Sequence, residues 1–218
     1  MKKCTLFVLL ALSCTILWAQ DGKWTLGAEG GASLASARGE RTPFEGQQPL
    51  FAPAAGIILQ RALHGRLFFR SGLSLTQKGL RWTGAAIGSN GTVLARAEQT
   101  HRLHYFTVPL LVGIHMGSNR GRIYLQAGPW AGFLLRERAE LKGPGVNDRA
   151  DNEGRYRKTD FGLAAGVGGL FPVSRKMAFS LELRDELGLT NSSDIDGPDN
   201  GVLRTNALSL LLGVRFGL

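Results

Sequence analysis

Cysteine is all but missing from this chain, with only Cys4 and Cys14 among 218 residues. Both fall within an N-terminal stretch that reads as an export signal, so the processed protein would carry neither disulfides nor thiol chemistry. Long apolar runs are missing as well. Outside that stretch no segment offers ~18 uninterrupted apolar residues, which excludes a helical membrane span. Catalytic signatures are equally scarce. No serine sits in a G-x-S-x-G elbow and no H-x-S pair occurs, so nothing marks an activated nucleophile. His101 and His104 lie towards one end of a predicted strand, and His64 and His115 towards the opposite rim. Polar strand-edge roles account for all four.

What is present begins with export. Lys2 and Lys3 precede an apolar run from Leu6 to Trp18, and the small Ala19 comes before Gln20 and Asp21. A charged start, a short apolar core and a small residue describe a signal peptide over 1–19. Ala11-Leu12-Ser13-Cys14 loosely resembles a lipobox, but the apolar run continues past it, which favours cleavage after Ala19. The formal charge is +9; without Lys2 and Lys3 there remain 24 basic against 17 acidic side chains, a charge of +7. A basic exported chain suits anionic head groups or acidic partners. Without a basic helix or an aromatic stacking motif, nucleic acid is not among them.

The segment from Asn206 to Leu218 sets the fold class. Leu208, Leu210, Leu212, Val214, Phe216 and Leu218 alternate with Ala207, Ser209, Leu211, Gly213, Arg215 and Gly217. Side chains alternate faces along a strand, so one face is bulky and apolar and the other is mostly small or polar. In a soluble barrel the bulk would have to fill a narrow lumen while glycine and alanine met water; a lipocalin-like barrel is therefore disfavoured. Bulk towards lipid and small or polar groups inward is the membrane arrangement. The chain offers roughly eight candidate strands, several with the same two faces: 23–35, 52–62, 66–83, 101–116, 121–138, 156–171, 177–191 and 206–218. Short connections (63–65, 117–120, 172–176) alternate with long ones (36–51, 84–100, 139–155, 192–205). Sorting by parity in this way is expected of short periplasmic turns and long external loops. The reading is all-β: an eight-stranded antiparallel transmembrane barrel over 20–218, one domain, in the outer membrane.

Several segments also resemble a known family. Leu26-Gly27-Ala28-Glu29-Gly30-Gly31, Gln77-Lys78-Gly79 and Leu103-His104-Tyr105-Phe106-Thr107-Val108-Pro109-Leu110-Leu111 come first. Tyr124 to Phe133 (YLQAGPWAGF), Asp160-Phe161-Gly162-Leu163 and Leu187-Gly188-Leu189-Thr190-Asn191 follow in order. Together they resemble the PorT-like outer-membrane β-barrel family of Bacteroidetes-type bacteria, over essentially the whole processed chain. The resemblance implies an eight-stranded outer-membrane barrel. One namesake member is associated with the type IX secretion and gliding machinery, most relatives have no assigned activity, and no catalytic signature carries over. Two positions depart from the pattern: Thr107 stands where an acidic residue is common, and Asp185 where an aromatic is common, on a face assigned to lipid.

Three residue groups are site candidates. Glu29, Arg70, Lys78, Arg122, Glu182, Arg184, Glu186 and Arg215 should face a lumen only wide enough for side chains, where charges must pair. A structural plug of ion pairs is one reading and a narrow ion path the other. Arg81, Arg102, Arg136, Arg138, Arg155, Arg157 and Lys158 cluster at outer strand ends. Guanidinium forks suit phosphates, which points to lipopolysaccharide; the interleaved Glu137, Glu140, Asp151 and Glu153 equally describe an ordinary solvated rim. Trp24, Trp82 and Tyr156 suit head-group depth, and Pro129 suggests a bulge or distortion beside Trp130. The 194–201 loop carries acids but not the ligand spacing of a calcium loop, and reads as a polar turn. No cofactor is implied. The expected partners are outer-membrane lipid and lipopolysaccharide, with another envelope protein as a further candidate. The expected function is non-enzymatic, structural or accessory to an outer-membrane assembly. The alternatives are a lipid- or small-solute-binding or permeation barrel and a lipid-modifying enzyme.

Overall fold

A computed structural model describes residues 24–38, 48–87, 93–118, 121–143, 146–150, 157–192 and 204–218. The signal-peptide reading and the 194–201 turn lie outside these residues. The strands are β1 (Trp24–Arg38), β2 (Leu50–Ala62), β3 (Leu67–Ile87), β4 (Val93–Ser118) and β5 (Gly121–Gly143). They continue with β6 (Val146–Ala150), β7 (Thr159–Pro172), β8 (Met177–Gly188) and β9 (Arg204–Gly217). Every pairing is antiparallel, and the ring runs β1-β2-β3-β4-β5-β7-β8-β9 before β9 closes on β1. Eight strands therefore form the barrel, and β6 stands outside the ring.

The stagger of the ring can be read from the pairing. Trp24 pairs with Arg61, Arg61 with Phe69, Phe69 with Val112, and Val112 with Ala127. Ala127 pairs with Ala165, Ala165 with Asp185, Asp185 with Leu208, and Leu208 with Leu34. One circuit begins at Trp24 and returns to the same strand at Leu34, ten positions on. A stagger of that size tilts the strands by about 40° and leaves an interior that side chains alone can fill.

Alternation assigns the two faces. Leu26, Ile57, Leu73, Leu110, Leu125, Leu163, Leu183, Leu210 and Leu212 are exposed on the outside. Glu29, Arg70, Lys78, Tyr124, Trp130, Glu182, Arg184 and Arg215 are buried inside. An unbroken apolar outer surface is what acyl chains solvate. Asp185 lies on this outward face, half-buried, and its Oδ1 has no protein partner.

The strands extend well beyond the predicted ends in one sector. The stretch 84–100, expected as a loop, continues the β3–β4 hairpin out to Ile87↔Val93. The β4–β5 pairing reaches Glu98↔Lys142, and β6 adds to β5 from Ala139↔Ala150 to Gly143↔Val146. β2 leaves β3 at Ala54↔Thr76, and β7 leaves β5 at Phe133↔Thr159. Strands β3 to β6 thus rise past the barrel as a four-stranded wall; from Tyr105 to Val93, β4 alone contributes roughly 40 Å of strand before tilt, at ~3.3 Å per residue. These segments carry no apolar alternation, so periodicity did not distinguish them from loops.

Of the two readings of Pro129, the structure shows a local distortion and no bulge: pairing skips Leu110 and Leu111 opposite Gly128 and Pro129, then resumes at Val112↔Ala127 in unchanged register. Proline removes a ladder donor, and Pro109 and Pro129 interrupt the same stretch. The bulge lies further out, where Tyr105 pairs with Leu134 but His104 pairs with Arg136, leaving Leu135 extra.

Glycine on β7 makes room for the aromatics of β5. A Cβ at Gly168 would collide with the Tyr124 ring and hydroxyl and lie 2.8 Å from the Leu181 carbonyl oxygen. One at Gly162 would lie 2.8 Å from Trp130 Cε2. Gly168→Ala should therefore destabilise the detergent-folded barrel by about 1–3 kcal/mol, the usual cost of overpacking. Heat-dependent mobility on a semi-native gel measures it, and a shift as small as that of an outward Leu210→Ala control would contradict this packing.

Candidate functional site

The lumen contains two charge clusters. In the inner one, Glu182 on β8 is the hub. Its carboxylate pairs with Arg70 at 2.7 Å, with Arg184 Nε at 2.7 Å and with Arg215 at 3.6 Å. It also accepts from the Tyr124 hydroxyl at 2.6 Å and the Gln126 amide at 2.6 Å. Arg184 forks onto both oxygens of Glu29, at 2.8 and 3.0 Å, across the lumen. Gln60 Oε1 accepts from Arg70 at 3.0 Å and from Arg215 at 3.2 Å. The Tyr124 ring lies between two guanidiniums, each with its Cζ 4.8 Å from the ring centroid. Guanidinium suits this role because it forks onto carboxylates and stacks on rings.

The outer cluster is smaller. Lys78 Nζ lies 3.7 Å from Asp160, donates to Thr205 at 3.4 Å and sits 3.4 Å from the Trp130 ring centroid. Thr205 and Thr190 both donate to the Asp160 carboxylate, and the Trp130 indole donates to the Leu163 carbonyl at 3.2 Å. Glu186 is buried in the same bore, with Oε2 left without a partner.

Of the eight predicted interior charges, Glu29, Arg70, Lys78, Glu182, Arg184, Glu186 and Arg215 are buried in the lumen. Arg122 shares their face but is exposed at the periplasmic mouth, because parity fixes direction and not depth. Asp160, Gln60, Gln126, Tyr124 and Trp130 were not singled out from the sequence. Each lies at an inward parity position, which is the one signal that marks them.

The predicted outer basic group divides. β5 carries the decisive feature: with Leu135 as an extra residue, Glu137 and Ala139 turn inward, while Arg136 and Arg138 turn outward. Simple alternation from Gln126 would carry Arg136 inward; the extra residue leaves it exposed on the outside. There Arg138 faces Arg102 and Arg136 faces His104 across β4–β5. Directly opposed residues lie ~4.5–5.5 Å apart at Cβ, and like charges so placed, as in Arg138 and Arg102, repel. All four residues stand immediately beyond Phe106 and Phe133, which face outward on the same strands. Arg81 pairs with Glu98 at 3.2 Å; Arg102 and Lys142 share Glu140 at 4.0 and 3.8 Å. Arg157 and Lys158 are exposed just before β7, and Arg155 lies outside the described residues.

Of the aromatics, Trp24 opens β1 at the inner rim with the Arg61 guanidinium 5.3 Å from its ring centroid. Trp82 lies on β3 opposite Gln99; Tyr156 lies outside the described residues. His101 is buried in the lumen whereas His104 faces outward, so the two cannot serve a common reaction.

Comparison with known proteins agrees with this architecture. The outer membrane protein beta-barrel domain family matches residues 18–194. The chain belongs to that family. No curated protein matches it. Among solved structures, a major outer membrane protein from Thermus thermophilus aligns with TM-score 0.51 and 12% identity, covering 91% of this chain and 100% of that one. Neisserial surface protein A aligns at 0.48 and 14%, covering 89% and 97%. The outer membrane protease OmpT from Escherichia coli aligns at 0.43 and 8%, covering 92% and 98%. At these identities the likeness is one of fold.

Arg184→Leu leaves Glu29 without its buried counter-ion and should cost about 3–5 kcal/mol of unfolding free energy. Denaturant unfolding in detergent micelles measures it. The double substitution Glu29→Leu with Arg184→Leu should recover part of the loss, since no buried carboxylate is then left without its arginine; an unchanged single variant would contradict the network. A bore closed by these pairs should also carry no steady ion current in a planar bilayer, and open-channel steps from the wild-type protein would contradict the closure.

Proposed function

We propose that this chain is a non-conducting, non-enzymatic outer-membrane barrel that grips lipopolysaccharide phosphates at its outer girdle and offers the β3–β6 wall to another envelope protein. The single observation that carries this reading is the outward group Arg102, His104, Arg136 and Arg138. It sits directly above lipid-facing Phe106 and Phe133, where acyl chains give way to phosphorylated head groups. Arg138 and Arg102 oppose each other across β4–β5, and neighbouring guanidiniums suit the oxygens of a phosphate.

The accessory role rests on the wall and on the resemblance to PorT-like barrels. A filled lumen leaves only the two rims and the outer wall to act on other molecules. The wall is long and β6 is its terminal strand among the described residues; a terminal strand can recruit a further strand by backbone pairing.

Arg136→Glu with Arg138→Glu tests the girdle. Lipopolysaccharide co-purified in mild detergent, measured per mole of barrel, should fall several-fold while the folded-form gel mobility is retained. A phosphate-dependent grip should also weaken with salt. Unchanged co-purification in the folded variant would overturn the lipopolysaccharide reading.

A further inference from the structure

The periplasmic end of the barrel opens into a vestibule of about 810 Å³. Its described lining includes Arg66, Arg122, Arg175, Lys176, His115 and Arg215, and no acidic side chain. Arg215 and Gln60 of the inner charge cluster line its floor; that cluster holds three guanidiniums (Arg70, Arg184, Arg215) against two carboxylates (Glu29, Glu182). One positive charge is therefore in excess there. Arg215 stands at that floor, 2% exposed, with its Nε lacking any partner. Beside it, His115 is stacked on Phe68 with ring centroids 4.4 Å apart and directs one ring nitrogen towards Gln60, 3.4 Å away. Its other nitrogen, Nδ1, is buried without a partner.

A cup lined by one sign of charge concentrates counter-ions. We infer that the periplasmic vestibule is a binding site for a phosphate group, held by the arginines and lysine of the rim above Arg215 at its floor. The volume lies in the range of small-molecule sites and exceeds that of a bare ion, so the phosphate belongs to a larger molecule. A soluble phosphate ester of the periplasm and the head group of an inner-leaflet phospholipid present the same chemistry.

The experiment uses the full processed chain carrying Arg136→Glu and Arg138→Glu, so that the outer girdle does not contribute. Reconstituted in phosphatidylcholine nanodiscs, it is titrated calorimetrically with glycerol 3-phosphate and with pyrophosphate. In parallel, mixed vesicles of phosphatidylglycerol and phosphatidylcholine supply lipid for native mass spectrometry of the retained molecules. The comparison variant adds Arg66→Glu and Lys176→Glu, both exposed at the rim and outside the buried network. Saturable binding of a soluble probe that weakens on the order of tenfold in this variant, equivalent to ~1.4 kcal/mol, supports the site with a soluble source. Selective retention of phosphatidylglycerol that the rim variant loses supports it with a lipid source. Failure of both probes, or binding that the rim variant leaves unchanged, overturns the inference. Because the girdle is already disabled, either result is independent of the lipopolysaccharide proposal.

Discussion

A buried carboxylate shared by three guanidiniums is the interaction on which the rest of the barrel depends. Glu182 draws Arg70 from β3, Arg184 from its own strand and Arg215 from β9, together with Tyr124 and Gln126 from β5. These elements lie on different sides of the ring, so the hub ties them across the lumen and not merely along a ladder. An eight-stranded ring leaves only enough interior for side chains, and charges held there without counter-charges cost several kcal/mol each. Interior composition and strand stagger are therefore one problem. The ten-residue stagger decides which inward positions meet, and those positions hold complementary charge. Size is matched in the same way, with glycines of β7 set against the large aromatics of β5.

The period-two pattern that fills the lumen also makes the lipid surface, and a single inserted residue couples the two at the outer rim. Below Leu134, β5 sends Tyr124, Gln126 and Trp130 inward and Leu125 and Phe133 outward. Above it, Leu135 reverses the phase. Glu137 then enters the bore while Arg136 and Arg138 emerge beside Arg102 and His104. Without the bulge, the two arginines would point into the barrel and the acid would face the head groups. A bulge that re-aims side chains in this manner is a structural device rather than a flaw.

Much of this was legible in the residue order, and the limits have physical causes. Alternation in β8 and β9 places Glu182, Arg184, Glu186 and Arg215 inward without reference to any partner. It cannot say how far along the axis a residue lies, so Arg122 was grouped with the plug although it borders the mouth. Nor can it say which strands face each other across the bore. Asp160 meets Lys78, and Gln60 bridges Arg70 and Arg215, only because of the stagger. The wall escaped for a different reason. Its sequence carries no apolar alternation, and such residues resemble those of a loop until neighbouring strands pair with them. The bulge at Leu135 left no trace in composition, because leucine serves on either face.

The distribution of charge along the axis gives the barrel two unlike ends. The inner cluster has one cation too many, and the outer holds Lys78 against Asp160 and Glu186. The two layers balance as a whole and differ locally, which leaves the periplasmic end of the bore positive and its outer half negative. At the outer rim, positive charge reappears on the outside of the wall, in Arg102, Arg136 and Arg138. The cations consequently sit at the two levels where a membrane barrel meets head groups, one inside the periplasmic mouth and one outside the outer girdle. The acids in excess are held in the sealed middle, away from anionic lipid. A channel would need the opposite design, with unpaired polar groups lining a continuous water path. Here the interior charges are paired with one another and the surplus positive charge lies towards the ends.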